Sequence, residues 1–299
     1  MQSSRIQLAE GGLSLSRIVA GMWRMAEWNM TPTERAELIN QCLELGVTTF
    51  DHADIYGDYA VETLFGEGLQ LIPSIRESIE IVTKCGIKLI SDKKPSHSLK
   101  HYDTSAAHIR ASVENSLKVL GTDYIDVLLI HRPDPLMHYD EIAEIFSKLA
   151  AQGKVKHFGV SNFTATQFNA LHKRYPLVTN QIELSPLQLS PMDDGMLDLL
   201  QDLAIPPMLW SALGGGRLFN PVFLQSEAGI TLKGIAEEWN VSLTTLVYAW
   251  LLKLPSHPLI LTGSGRIEAI EEAVQACDLL LDRITWFKIL EAVRGCEVA

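Results

Sequence analysis

Cysteine is scarce in this chain, and the little there is lies scattered. Four thiols, at 42, 85, 277 and 296 among 299 residues, form no C-x-x-C pair. That excludes a disulfide scaffold or thiolate metal ribbon and points to free thiols in a reducing compartment. Cys85 is expected to fill space rather than react. Neither H-x-H nor H-E-x-x-H occurs, so no metal site is expected. Basic charge is also in short supply: 25 Lys and Arg against 36 Asp and Glu give a net charge of −11. That is the wrong sign for a nucleic-acid or anionic-membrane surface. Long hydrophobic runs are missing too. The long uncharged stretch near 243–252, LTTLVYAWLL, is too short to span a bilayer. The opening MQSSRIQLAEGG has no apolar h-region, so no signal peptide is expected and a cytoplasmic protein is.

What the chain does have is apolar residues, 47% of the total, enough for a large core. Short β-branched runs near 18–20, 47–50, 79–83, 125–130, 157–160, 178–182, 207–210 and 259–262 predict eight strands. Helical patterns fall near 33–45, 61–70, 104–120, 140–152, 164–174, 192–203, 232–253 (broken) and 268–277, with a last one near 283–295. Thr31, Pro32 and Glu34 predict a capped helix start, and Thr164 with Gln167 repeats the device. Eight strand–helix units predict an α/β fold, a (β/α)8 barrel, as one domain over 1–299. RIQLAEGGLSLS reads as a hairpin turning at Gly11-Gly12 and covering the barrel bottom. Two long loops remain, 85–103 and about 211–231, the second opening on Gly214, Gly215 and Gly216.

Asp51, Lys84 and His131 each sit just past an apolar run, and Tyr56 follows Asp51 closely. Strand ends of a parallel barrel share one mouth, so these four side chains are expected to converge. A phenol, with a pKa of about 10, is a poor acid at neutral pH. An ammonium beside it lowers that value, and Lys84 can supply one if Asp51 pairs with it. His131 adds a hydrogen-bond donor or proton relay. Singly, each residue is better explained by packing or capping; four together, all at strand ends, predict a tuned general acid for a carbonyl oxygen.

These segments resemble the aldo-keto reductase superfamily. GVTTFDHADIYGDYAVETLFGEGL is similar to its first signature, and IVTKCG, LLIHRPDP, KVKHFGVSNF, NQIELSP and ILTGSGRIEAIEEA follow in the family's order over nearly the whole chain. DHADIYG, HRPDPLM and WSALGGGRLF look most like a bacterial branch of oxidoreductases. The resemblance implies NADPH-dependent carbonyl reduction, with Tyr56 as proton donor, Lys84 lowering its pKa, Asp51 pairing with Lys84 and His131 orienting the carbonyl. It places Ser161, Asn162 and Gln181 at the cofactor's carboxamide. Trp210 stands where the family has a stacking aromatic. Ser211, Gly214, Gly216 and Arg217 in the glycine-rich loop are expected to touch the cofactor as well.

The eighth strand leads into Gly263, Ser264, Gly265 and Arg266, which open a helix. Barrels often hold phosphate at such a helix start, and a guanidinium suits it. In the family this region takes the adenosine 2′-phosphate, which implies NADPH over NADH. Glu272 is kept, whereas Ala269 and Ala273 replace larger polar residues of the family, which implies fewer adenine contacts. GSGRIE lacks the third glycine and the position of a dinucleotide-fold fingerprint. Trp23, Met25 and Trp28 follow the first strand and predict an apolar wall, with Trp23 and Trp28 in a pocket open to several small or aromatic carbonyl substrates. A monomer or weak homo-oligomer is expected. Two other classes stay open at this level. One is a nicotinamide-binding regulatory module with weak or no turnover; the other is a metal-dependent barrel enzyme.

Overall fold

The structure, a computed structural model, describes residues 2–8 and 12–298. Strands β1 (Arg5–Gln7) and β2 (Ser14–Ser16) form an antiparallel hairpin. Half of its predicted turn, Gly11, lies outside the described residues. The barrel begins with β3 (Ile18–Gly21), β4 (Thr49–Asp51) and β5 (Glu80–Cys85). A ribbon of β6 (Ile87–Lys88) and β7 (His101–Tyr102) interrupts it. Then β8 (Ile125–Ile130), β9 (Val155–Ser161), β10 (Asn180–Glu183), β11 (Met208–Trp210) and β12 (Leu259–Thr262) complete it. The eight barrel strands pair in parallel in chain order, and β12 closes on β3. This is the predicted (β/α)8 barrel.

Side-chain alternation along each strand divides the core in two. In β8, Val127 and Leu129 join Val19, Val82, Met208 and Leu259 inside the barrel. Leu128 and Ile130 fall in the other cluster, with the apolar faces of the helices. The hairpin plugs one end: Leu8, Leu13 and Leu15 join the inner cluster. Ser16 Oγ accepts from the Thr48 and Thr49 N–H groups at 3.2 and 3.1 Å, and Arg5 pairs with Glu80 at 2.6 Å. These partners stand at or just before the starts of β4 and β5, so the hairpin covers the N-terminal mouth.

Both predicted capping boxes form, at Thr31–Glu34 and Thr164–Gln167. The pattern over 232–253 resolves into two helices, Glu227–Glu238 and Leu243–Leu252. Asn240 breaks it with a positive φ of 50°, and Ser242 caps the second helix. The helix expected from 192 begins only at Met196, because Ser190–Met192 winds as a 3₁₀ turn and Gly195 enters at a φ of 80°. Among the described residues no helix is long and apolar enough to cross a membrane.

Candidate active site

The alternation that fills the barrel also builds the site. Thr49 and Asp51 lie two residues apart on one strand face, as do Val82 and Lys84, Leu129 and His131, and Met208 and Trp210. The first of each pair is buried in the barrel and the second reaches the C-terminal mouth. Asp51, His131, Ser161, Gln181 and Trp210 line a cavity of about 1000 Å³ there. That is the upper end of ligand-pocket size. Lys84 lies beneath it, fully buried.

Lys84 Nζ is wired to everything around it. It donates to Asp51 Oδ1 and Oδ2 at 2.8 and 2.7 Å, to the His52 carbonyl at 2.7 Å and to Tyr56 Oη at 3.0 Å. An ammonium has three protons, and the carboxylate shares one, so all are used. Gln181 Nε2 also donates to Asp51 Oδ1 at 2.7 Å. Burial pulls Lys84 down, but Asp51 and Tyr56 together hold it above the ordinary lysine range, as an ammonium. Tyr56 follows β4 at the start of a tight turn whose next residues, Gly57, Asp58 and Tyr59, all have positive φ. Because its oxygen accepts from Lys84, its own proton is left to point into the cavity.

The net direction for Tyr56 differs from the sequence expectation. Burial raises the phenol most; Lys84 lowers it as expected and Asp51 raises it again, and the balance stands above the ordinary value. The ammonium thus offsets a desolvation that sequence does not show. His131 is held well below its ordinary value by burial first, then by Lys84 and Arg132, so its ring is neutral. It stands edge-on to Tyr56, 5.9 Å between ring centres.

Across the mouth, four expected residues form a chain. Trp210 Nε1 donates to Asn162 Oδ1 at 3.0 Å, Asn162 Nδ2 to Ser161 Oγ at 2.7 Å, and Ser161 Oγ to the Gln181 carbonyl at 2.9 Å. Asn162 and Ser211 both hold positive φ, 59° and 51°, in the cavity wall. Such conformations in non-glycine residues collect at functional sites. Gly263, Ser264, Arg266 and Glu272 line the far end.

Other expected residues take different places. Gly216 lines the cavity, but its companion there is Gly215, not Gly214. Gly214 faces Leu187, which a Cβ would meet at 2.7 Å, and Arg217 Nε folds back to donate to the Gly214 carbonyl at 2.9 Å. Trp23 lines the cavity, 6.5 Å from the Tyr56 ring, but Trp28 does not; its indole covers Gly265, where a Cβ would come within 2.6 Å. Trp28 therefore braces the loop after β12 instead of walling a substrate. Met25 turns into the core. Sequence reasoning missed Lys100 and Tyr102, which the β6–β7 ribbon brings to the mouth, and Tyr248 from the helix Leu243–Leu252. The only sequence signal for the first two was the length and polarity of the 85–103 loop.

Behind Lys84 lies a second polar layer. Glu62 accepts from Thr83 Oγ1 and Ser116 Oγ at 2.6 and 2.9 Å. Asp54 accepts from Ser112 Oγ at 2.7 Å, and its N–H donates to the Lys84 carbonyl at 3.0 Å. Burial, helped by Glu62, pushes Asp54 up to about 8, whereas burial and Lys84 pull His52 down to about 3. The raised Asp54 binds its proton more tightly folded than unfolded, so the stability it contributes is lost as pH rises from the unfolded value through about 8. His52 acts oppositely, losing stability as pH falls below about 6.5. Of these two groups, only Asp54 acts above about 6.5. Urea unfolding should show wild type losing about 2 kcal/mol relative to Asp54→Asn between pH 6.5 and 8.5. Equal slopes would mean that Asp54 is ionised throughout.

Comparison with known proteins agrees with this architecture. Residues 17–293 match the model of the Aldo/keto reductase family. The chain is 50% identical to "Oxidoreductase YdhF" of Escherichia coli over 98% of its length and 99% of the relative's. It is 44% identical to a 6-dehydroglucose reductase of Agrobacterium fabrum, with 99% of each covered. A glycerol dehydrogenase structure from Gluconobacter oxydans superposes with a TM-score of 0.86 at 23% identity, covering 99% of this chain and 96% of that one. At that identity the likeness shows the fold.

Proposed function

The chain belongs to the aldo/keto reductase family, and from that premise we propose that it is an NADPH-dependent carbonyl reductase, working as one barrel domain, with Tyr56 as general acid. The observation that carries this is the Lys84 ammonium, locked on Asp51 and 3.0 Å from Tyr56 Oη at the floor of the cavity. The nicotinamide cofactor, when bound, supplies the hydride. The chain's residues do the rest. Tyr56 donates the proton to the carbonyl oxygen, and Lys84 stabilises the phenolate left behind. Neutral His131 offers one N–H to the same oxygen and so fixes which way the carbonyl faces.

The far end of the cavity fits a dinucleotide. Gly263 leaves open space where a Cβ would stand, and Ser264 and Arg266 precede the helix Ile267–Gln275. Among the described residues Arg266 has no carboxylate partner, so its guanidinium is available to a phosphate. Ser161, Asn162 and Trp210 would hold the nicotinamide end. One adjustment follows from the structure: Gln181 already gives one of its two amide protons to Asp51, so it has its oxygen and a single N–H left to offer a carboxamide. Arg266→Ala should raise the NADPH KM about tenfold, the loss of one charge-assisted contact. The NADH KM should move much less, since NADH lacks the 2′-phosphate. Equal shifts for both cofactors would remove Arg266 from 2′-phosphate recognition.

The test of the reading is NADPH oxidation with an aromatic aldehyde, in wild type and Tyr56→Phe together. Turnover by the wild type that the variant loses supports it. NADPH binding without turnover of any carbonyl compound would overturn it.

A further inference from the structure

The geometry points to a carbonyl substrate that carries an oxyanion, a carboxylate or phosphate, held by Lys100 and Arg132 at the catalytic end of the cavity. This deepens the carbonyl-reduction reading and rests on it. The two cations arrive from different elements. Lys100 directly precedes β7, and Arg132 follows His131 at the end of β8; both line the cavity. Both lie close enough to His131 to act on it through space, and Arg132 reaches Tyr56 in the same way. The Arg132 guanidinium stands 5.6 Å from the centre of the Trp210 ring.

The molecule as a whole is acidic, with 36 Asp and Glu against 25 Lys and Arg. Here the nearby acids are all committed elsewhere. Asp51 belongs to Lys84. Asp58, on the cavity rim, lies 4.0 Å from Lys93, and Asp103 pairs with Lys88 at 2.5 Å. Asp134, two residues beyond Arg132, accepts from Thr104 Oγ1 and the Leu136 N–H at 3.2 and 2.8 Å. Among the described residues Lys100 and Arg132 have neither a hydrogen bond nor an ion pair. Among the described residues Arg24 and Arg266 are the other cations of this cavity without an acid; Arg24 donates to the Gly215 carbonyl at 3.4 Å, and Arg266 stands at the far end. Two cations without an acid partner, lining the same cavity as His131 in an otherwise acidic molecule, make a local positive field. A planar guanidinium and a flexible ammonium together suit a carboxylate or phosphate.

The field would also repel a cationic carbonyl compound, and it offers an uncharged aldehyde little beyond hydrogen bonds. Selectivity should therefore follow substrate charge, not size. The test compares kcat/KM for matched pairs: benzaldehyde with 4-carboxybenzaldehyde, and glyceraldehyde with glyceraldehyde 3-phosphate. The anionic member of at least one pair should lead by about tenfold or more, and which pair does so separates carboxylate from phosphate. In Lys100→Met and Arg132→Leu that ratio should fall about tenfold, with the change in KM and with no rise in the NADPH KM. Equal kcat/KM within both pairs, or faster turnover of the neutral member, overturns the proposal. So does a rise in the NADPH KM alone, which would assign the cations to the cofactor. Benzoate binding, followed by tryptophan fluorescence against benzyl alcohol with NADPH present, keeps the two readings apart. If no aldehyde turns over but benzoate binds and the two variants abolish it, carbonyl reduction fails and the anion site stands. If turnover is normal and benzoate binding ignores both substitutions, the anion site fails and carbonyl reduction stands.

Discussion

Tyr56→Phe should lower kcat by about 10²–10⁴-fold while leaving NADPH binding within a few-fold of wild type. The substitution removes one oxygen that accepts a single hydrogen bond, from Lys84 at 3.0 Å, and keeps the ring between Trp23 and His131. The barrel should fold as before, because Lys84 keeps Asp51 and the His52 carbonyl as partners. What disappears is the proton for the carbonyl oxygen. The direction of the Tyr56 shift sharpens the expectation. Burial holds the phenol above its ordinary value, so it stays protonated throughout the neutral range. A general acid must be protonated to act, so kcat should be level across neutral pH and fall only on the alkaline side. Pre-steady-state measurement of the hydride step against pH checks this. A fall centred near neutrality would mean that Lys84 outweighs burial and that the phenol ionises early. A variant that keeps wild-type kcat would take Tyr56 out of the reaction and pass the proton to His131, the other group at that oxygen.

Much of this was legible in the chain because the barrel repeats one simple rule. Each strand is an apolar run, and the first polar residue past it emerges at the mouth. Asp51, Lys84 and His131 could thus be brought together from sequence positions alone, and the structure does bring them together. The strand bounds were less legible. The apolar pattern predicts the second strand from 47 and the sixth from 178, yet pairing begins at Thr49 and Asn180. Val47 and Val178 are core residues of the approaching loops, and burial alone does not tell a loop valine from a strand valine. The loops hid more. Whether Trp28 walls a pocket or covers Gly265, and which glycine of the 214–216 run faces the cavity, depends on contacts with residues far away in the chain. Lys100 and Tyr102 reach the site only because β6 and β7 pair across their loop, and two-residue strands leave no periodic trace. The sign of the Tyr56 shift was not legible because it is set by how completely the barrel excludes water, a sum over many residues.

Lys84→Met should cost about 3–5 kcal/mol of stability and most of the activity, and the two losses should separate. With Lys84 gone, the Asp51 carboxylate stays buried with the Gln181 amide as its one remaining hydrogen-bond donor. An enclosed charge that loses its partner is far more costly than a pair that never forms. The double variant Lys84→Met with Asp51→Asn removes that charge, and urea unfolding should show it regaining much of the lost stability. Activity should not return with it. Neither Met nor Asn can donate to Tyr56 Oη or stabilise the phenolate, so hydride transfer should stay as slow as in Lys84→Met alone. The outcome decides what the buried ion pair is for. If stability and rate recover together, Lys84 serves only to neutralise Asp51, and the acid needs no ammonium. If stability recovers while the rate does not, the pair is kept against the cost of desolvating two charges because the reaction needs a cation 3.0 Å from the phenol.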